Sequence, residues 1–204
     1  IGRRLQGYSD LLPHHVSLAG ATHTIANLGG HANSTPNASG AIATLDDLFE
    51  QRSHQLSLSV KVERSKLKIG RDFLSLTVTP SVGGKLFLVL LGSDLKTYYI
   101  LFPNRLDGDN DLTANVARTL PGTQWKIAAG GPAGKDHILA LVVPADAAIN
   151  RRLEELPSDP TGTYRILPAE LENRRHLVKS WLTSDTDGRL VKFAAARAVV
   201  EETP

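Results

Sequence analysis

The stretch QLSLSVKVE, residues 55–63, alternates without a break between apolar and polar side chains. Leu56, Leu58, Val60 and Val62 fall on one side, and Ser57, Ser59, Lys61 and Glu63 on the other. Period two fits a strand with one buried face; a helix would scatter these residues around its circumference. DFLSLTVTP (72–80) repeats the pattern through Leu74, Leu76 and Val78, ends at Pro80, and is followed by a VGG turn. KLFLVLLG (85–92) is apolar on both faces, as a central strand must be. KTYYILFP (96–103) follows a GSD turn and forms a hairpin with it. QWKIAAG and HILALVV, joined by the loop GPAGKD, read as another pair of strands, and RLVKFAAARAVVEE as a long final one. Seven or eight strands, mostly antiparallel by hairpin logic, predict a mainly β protein: an antiparallel, immunoglobulin-like β-sandwich.

Helices are expected at its margins, near the C-terminal half. ADAAINRRLEEL (145–156) and PAELENRRHLVKSWL (168–182) carry helical patterns, and Pro168 suits a first helical turn. Together they define a helical insert at about 145–183. Thr44 and Asp47 form a weak capping box, which predicts a short helix from about 45 to 52. Residues 1–43 are rich in Gly, Ala, Ser, Thr and Asn and read as a linker or loosely packed extension, leaving 44–204 as the sandwich domain. Within the extension, LLPHHVSLA is apolar enough to dock on that domain.

Composition removes several function classes. With 23 basic and 21 acidic residues and only 5% aromatics, the chain lacks the electrostatic signature of a nucleic-acid binder. It has no cysteine, so disulfide scaffolds, thiolate catalysis and zinc–thiolate sites are out. No apolar run approaches the ~18 residues of a membrane span. Methionine is absent even at position 1, and the chain is expected to be a fragment, the C-terminal part of a longer protein.

The chemical candidates are few. Asp107, Asp109 and Asp111 open like an EF-hand loop, but Leu112 stands where glycine belongs and Arg118 where the bidentate glutamate belongs. A polar turn, its Asp and Asn side chains bonded to their own backbone, is the simpler account. AAGGPAGKDH fails as a phosphate loop on spacing, and Asp136 sits where a hydroxyl should hold magnesium. His14, His15, His23 and His31 lack the spacing of a zinc helix, and His54 and His137 read as polar residues at strand ends. The pairs Arg3-Arg4, Arg151-Arg152 and Arg174-Arg175 read as solvated faces, since glutamates accompany the latter two. Trp125 and Trp181 read as core anchors. No G-x-S-x-G occurs. Neither a cofactor nor a metal is expected.

The order Ile69-Gly70, Asp72, Gly84, Leu101-Phe102-Pro103-Asn104, Asn110, Leu120-Pro121, Trp125, Gly131-Pro132 and Gly134 resembles the bacterial domain-of-unknown-function family forty-three eighty-four. The likeness covers about 55–143, with the final strand as a possible addition. One departure is visible: the tyrosine that usually follows the glycine is replaced, with Lys85 and Phe87 nearby. Members are often appended to Ser/Thr protein kinases and caspase-like peptidases. The resemblance therefore implies a non-catalytic accessory module of a signalling or secretion-associated protein, with a protein partner or an unknown small ligand. Behind a membrane-anchored kinase it would face the periplasm. The alternative is an assembly component docking by a strand edge or by the helical insert; a hydrolase is the third. In the fingerprint itself, Pro103 should end ladder pairing and Asn104 should bond turn backbone.

Overall fold

Strand Gly84–Leu91 lies at the centre of the molecule, covered on both sides as its two-sided apolar sequence requires. The computed structural model describes residues 15–17, 38–168, 180 and 182–204. The elements run β1 (His15–Ser17), α1 (Ala38–Glu50), β2 (Leu58–Val62), β3 (Lys66–Lys68), β4 (Phe73–Leu74), β5 (Leu76–Pro80), β6 (Gly84–Leu91), β7 (Thr97–Phe102), β8 (Asp111–Leu112), β9 (Arg118–Leu120), β10 (Lys126–Ala128), β11 (Gly134–Val143), α2 (Ile149–Arg152), a 3-10 turn (Leu153–Glu155), β12 (Arg165–Pro168) and β13 (Ala194–Thr203).

The large sheet has the order β12-β7-β6-β11-β13-β3, with β8 also on β6; its pairings are antiparallel except β13 with β3. Two smaller sheets, β2-β5-β9 and β1-β10-β4, complete the sandwich. Leu86, Leu88 and Leu90 of β6 belong to one core with Leu74, Leu76, Val78, Trp125 and Ile127 of the smaller sheets. Phe87, Val89 and Leu91 belong to a second core with Ala41, Leu45 and Leu48 of α1 and Ile149 of α2. Alternation along one strand thus supplies two interiors, sheet on one side and helix on the other.

The antiparallel sandwich matches the expectation, and so does the alternation of Leu56, Leu58, Val60 and Val62, all partly buried against the sheet-side core. DFLSLTVTP departs from it by splitting at Ser75: β4 pairs with β10, whereas β5 pairs with β2 and β9. β10 and β11, read as a pair of strands, join different sheets.

The helices need more correction. α1 starts at Ala38, inside the segment read as a linker, because Ala41 stands in phase with Leu45 and Leu48. Thr44 is not a cap but an interior residue, its hydroxyl donating to Gly40 O at 3.0 Å. In 145–156 only Ile149–Glu155 is helical, since Asn150 Nδ2 donates to Pro144 O and Ala145 O, both at 3.0 Å, and holds the preceding residues in a turn. Pro168 ends β12 instead of opening a helix. Most of the expected helix 168–182 lies outside the described residues. The docking read in LLPHHVSLA is present at His15–Ser17, which pairs in parallel with β10.

Candidate functional site

β7 stops at Phe102, one residue before Pro103, which has no N–H to continue the ladder. The Phe102–Pro103 bond is cis, as are Leu120–Pro121 and Gly131–Pro132. Asn104 then shapes the turn: its Nδ2 donates to Leu101 O at 2.7 Å, and its Oδ1 accepts from the N–H groups of Leu106 (2.8 Å) and Asp107 (3.0 Å). Asn110, buried, exchanges two hydrogen bonds with Leu86 and ties the far end of the loop to β6.

The three aspartates part company. Asp107 accepts from Trp125 Nε1 at 3.2 Å and meets Arg118 at 3.5 Å. Asp109 accepts from the N–H of Asp111 at 3.2 Å, and Asp111 pairs with Lys85 Nζ at 2.8 Å. Among the described residues no group of three His, Asp or Glu side chains converges as a metal site would need. His14, His23 and His31 lie outside those residues. Trp125 is buried against Tyr164, ring centroids 6.4 Å apart, as expected of a core anchor. Arg118 also lies over the Phe102 ring, 4.8 Å from its centroid.

The glycine positions form a second cluster. Gly70, with φ +73°, donates to Ala129 O at 2.8 Å, and Asp72 returns a carbonyl to Ala129 N–H at 3.0 Å. The Asp72 carboxylate accepts from Lys68 N–H at 2.8 Å and faces Arg64; these contacts hold its pKa below the usual value. Gly131 (φ +75°) donates to the Glu202 carboxylate at 2.5 Å. Ser93 donates its hydroxyl to Pro132 O at 2.6 Å and its N–H to Asp136 at 2.8 Å. A Cβ on Gly134 would stand 2.9 Å from Ser93 Cβ, so only glycine fits.

Asp136 and Glu202, both buried, are diagonal neighbours on β11 and β13: Asp136 faces Val200, and Glu202 faces Gly134. Burial raises both pKa values, and the neighbouring carboxylate helps raise that of Asp136, to about 7. The two carboxyl groups hydrogen-bond each other, which a proton on Asp136 permits. Neither residue was expected to matter. Their signal was phase: Asp136 alternates in register with Ile138, Ala140 and Val142, and Glu202 with Ala198 and Val200, all in the sheet-side core or packed on it.

The fingerprint turn also borders a cleft of about 430 Å³. Its near wall is Pro103, Asn104, Gly108 and Asn110; its far wall runs from Asn150 through Leu153 to Thr163 and Arg165. Phe87 and Lys85, beside the departure from the family pattern, complete it. The cleft gathers Pro103, Asn104 and Asn110 from the expected site residues. Gly70, Asp72, Trp125, Gly131, Pro132 and Gly134 lie outside it, as does buried Phe102.

Residues 66–145 match the model of a family described as a domain of unknown function (DUF4384). The match agrees with the resemblance carried by the fingerprint residues. No curated protein and no solved structure matches the chain. The DUF4384 match begins at β3, later than the 55 expected, and ends just past β11. It therefore contains every fingerprint residue and the near wall of the cleft, while the far wall and Glu202 come from outside the DUF4384 segment.

Proposed function

We propose that this chain is a non-catalytic binding or sensing module whose ligand occupies the cleft between the fingerprint turn and residues 150–165. The observation that carries this reading is the position of Pro103, Asn104 and Asn110: the residues that give the turn its shape also form one wall of a concave site. Fixed polar groups around an apolar floor suit selective binding. The lining combines Phe87, Pro103 and Leu153 with asparagines, cations and one glutamate, and among the described residues it contains no His, Ser or Asp. We read it as an accessory module of a bacterial signalling or secretion-associated protein, kinase-like in organisation and exposed to the periplasm.

An assembly role would draw on exposed apolar surface. Among the described residues, the exposed large apolar side chains are Val116, Leu190 and Val199, which lie in three separate segments. They favour the cleft over a broad docking face. The test is amide chemical-shift mapping of the full chain against a fragment set of small polar and aromatic compounds. Binders should perturb 103–110 and 150–165 together; perturbations confined to other surfaces would refute the cleft as the site.

A further inference from the structure

We infer that the ligand of this cleft is an anion, a carboxylate or phosphate joined to a small apolar body. The inference rests on the reading of the cleft as a binding site and adds the chemical class of what it holds.

Three cations from three elements line the cleft: Lys85 from β6, Arg105 from the turn after β7, and Arg165 from β12. Among the described residues, only one that lines it, Glu154, is acidic. Arg105 is exposed and has no carboxylate partner among the described residues. Its backbone is fixed, with its N–H donating to Thr163 O at 3.2 Å across the cleft. A guanidinium on a fixed backbone, facing a concave site with no carboxylate paired to it among the described residues, is suited to bidentate capture of a carboxylate or phosphate.

The other two cations are held by partners that can yield. Lys85 pairs with Asp111, whose side chain is 70% exposed, and Arg165 with Glu154, whose side chain is 80% exposed. Ion pairs to such solvated carboxylates are weak, so an incoming anion can take their place. Arg165 keeps its own position meanwhile, because Nη1 also donates to Leu156 O and Ser158 Oγ, both at 3.1 Å. Phe87, Pro103 and Leu153 offer apolar surface next to these charges. Anion and apolar body are therefore met by adjoining parts of one site.

The experiment titrates the full chain with phenylacetate, phenyl phosphate and neutral benzyl alcohol, following amide shifts at low and high salt. Both anions should bind at least about tenfold more tightly than the alcohol, and salt should weaken only the anions. Arg105→Ala should weaken anion binding about tenfold with little effect on the alcohol, and Arg105→Lys should restore part of it. The stronger of the two anions identifies the headgroup. If the alcohol binds in the cleft as well as the anions do, the anionic assignment is overturned while the cleft remains a binding site. If no compound, including the fragment set, perturbs the cleft, both readings fall.

Discussion

The indole N–H of Trp125 donates to the carboxylate of Asp107, 3.2 Å away, and so joins the aspartate loop to the buried core. Arg118 contacts the other oxygen of the same carboxylate. An acid of the kind that ligates metals is instead the hub of a turn. Asp107→Ala should destabilise the chain by ~1–2 kcal/mol, because it leaves a buried donor unpaired. Asp107→Asn, which keeps an acceptor for Trp125, should cost less, since the partly exposed Arg118 contact is worth little. Urea unfolding measures both; equal losses would contradict the role given to Trp125. Millimolar calcium should leave the melting midpoint of the wild-type chain unchanged.

Asn104 makes three hydrogen bonds to backbone within its turn. Asn104→Ala should lower stability by roughly 1–2 kcal/mol. An unchanged midpoint in thermal unfolding would remove the structural role and leave Asn104 to ligand contact alone.

Strands and sandwich were legible in the sequence because period two survives wherever one face is buried, as in Leu58, Val60 and Val62. β6 was legible for the opposite reason, being covered on both faces. The partners of β4, β5 and β10 were not, since a switch between sheets at Ser75 depends on long-range packing that leaves no local mark. α1 was seen late because small Ala41 does not announce a buried face. Of the site, the turn around Asn104 was readable from its residue types. The far wall of the cleft was not, because it comes from a segment read as helix. Asp136 and Glu202 were missed because Asp136 was weighed only as part of the failed phosphate loop, and the pairing that brings Glu202 beside it is long-range.

Stability should depend on pH through Asp136 and Glu202. Below the ordinary Asp value of 3.8, folded and unfolded chains both carry these protons, and the pair contributes its full stability. As pH rises toward about 7, the unfolded chain releases protons that the folded one retains, so this contribution is lost. The charged and titratable groups acting here are Asp136 on β11, Glu202 on β13 and Asp94 in the β6–β7 turn. Asp136→Asn should thus gain stability relative to wild type between about pH 5 and about pH 8, on the order of 1–3 kcal/mol. Urea titrations at both values read this; parallel behaviour of the two proteins would show the pair to be unimportant.

The glycines should differ in tolerance. Gly134→Ala places a methyl 2.9 Å from Ser93 Cβ and should cost roughly 2–4 kcal/mol. Gly70→Ala meets nothing within 4 Å and should cost only the ~1–2 kcal/mol of its positive φ. The reverse order in chemical denaturation would contradict the packing described for the Gly131–Gly134 loop.

The central claim is that the fingerprint turn builds a ligand-binding cleft, and Gly108→Trp tests it most directly. A Cβ at Gly108 meets nothing nearer than Asn104 O at 3.9 Å, so the backbone accepts a side chain there while the indole fills the cleft. Calorimetric titration of wild type and Gly108→Trp with the tightest cleft binder should show heat of binding in the first and none in the second, at matched melting temperatures. Undiminished binding by Gly108→Trp would place the ligand elsewhere and contradict the account.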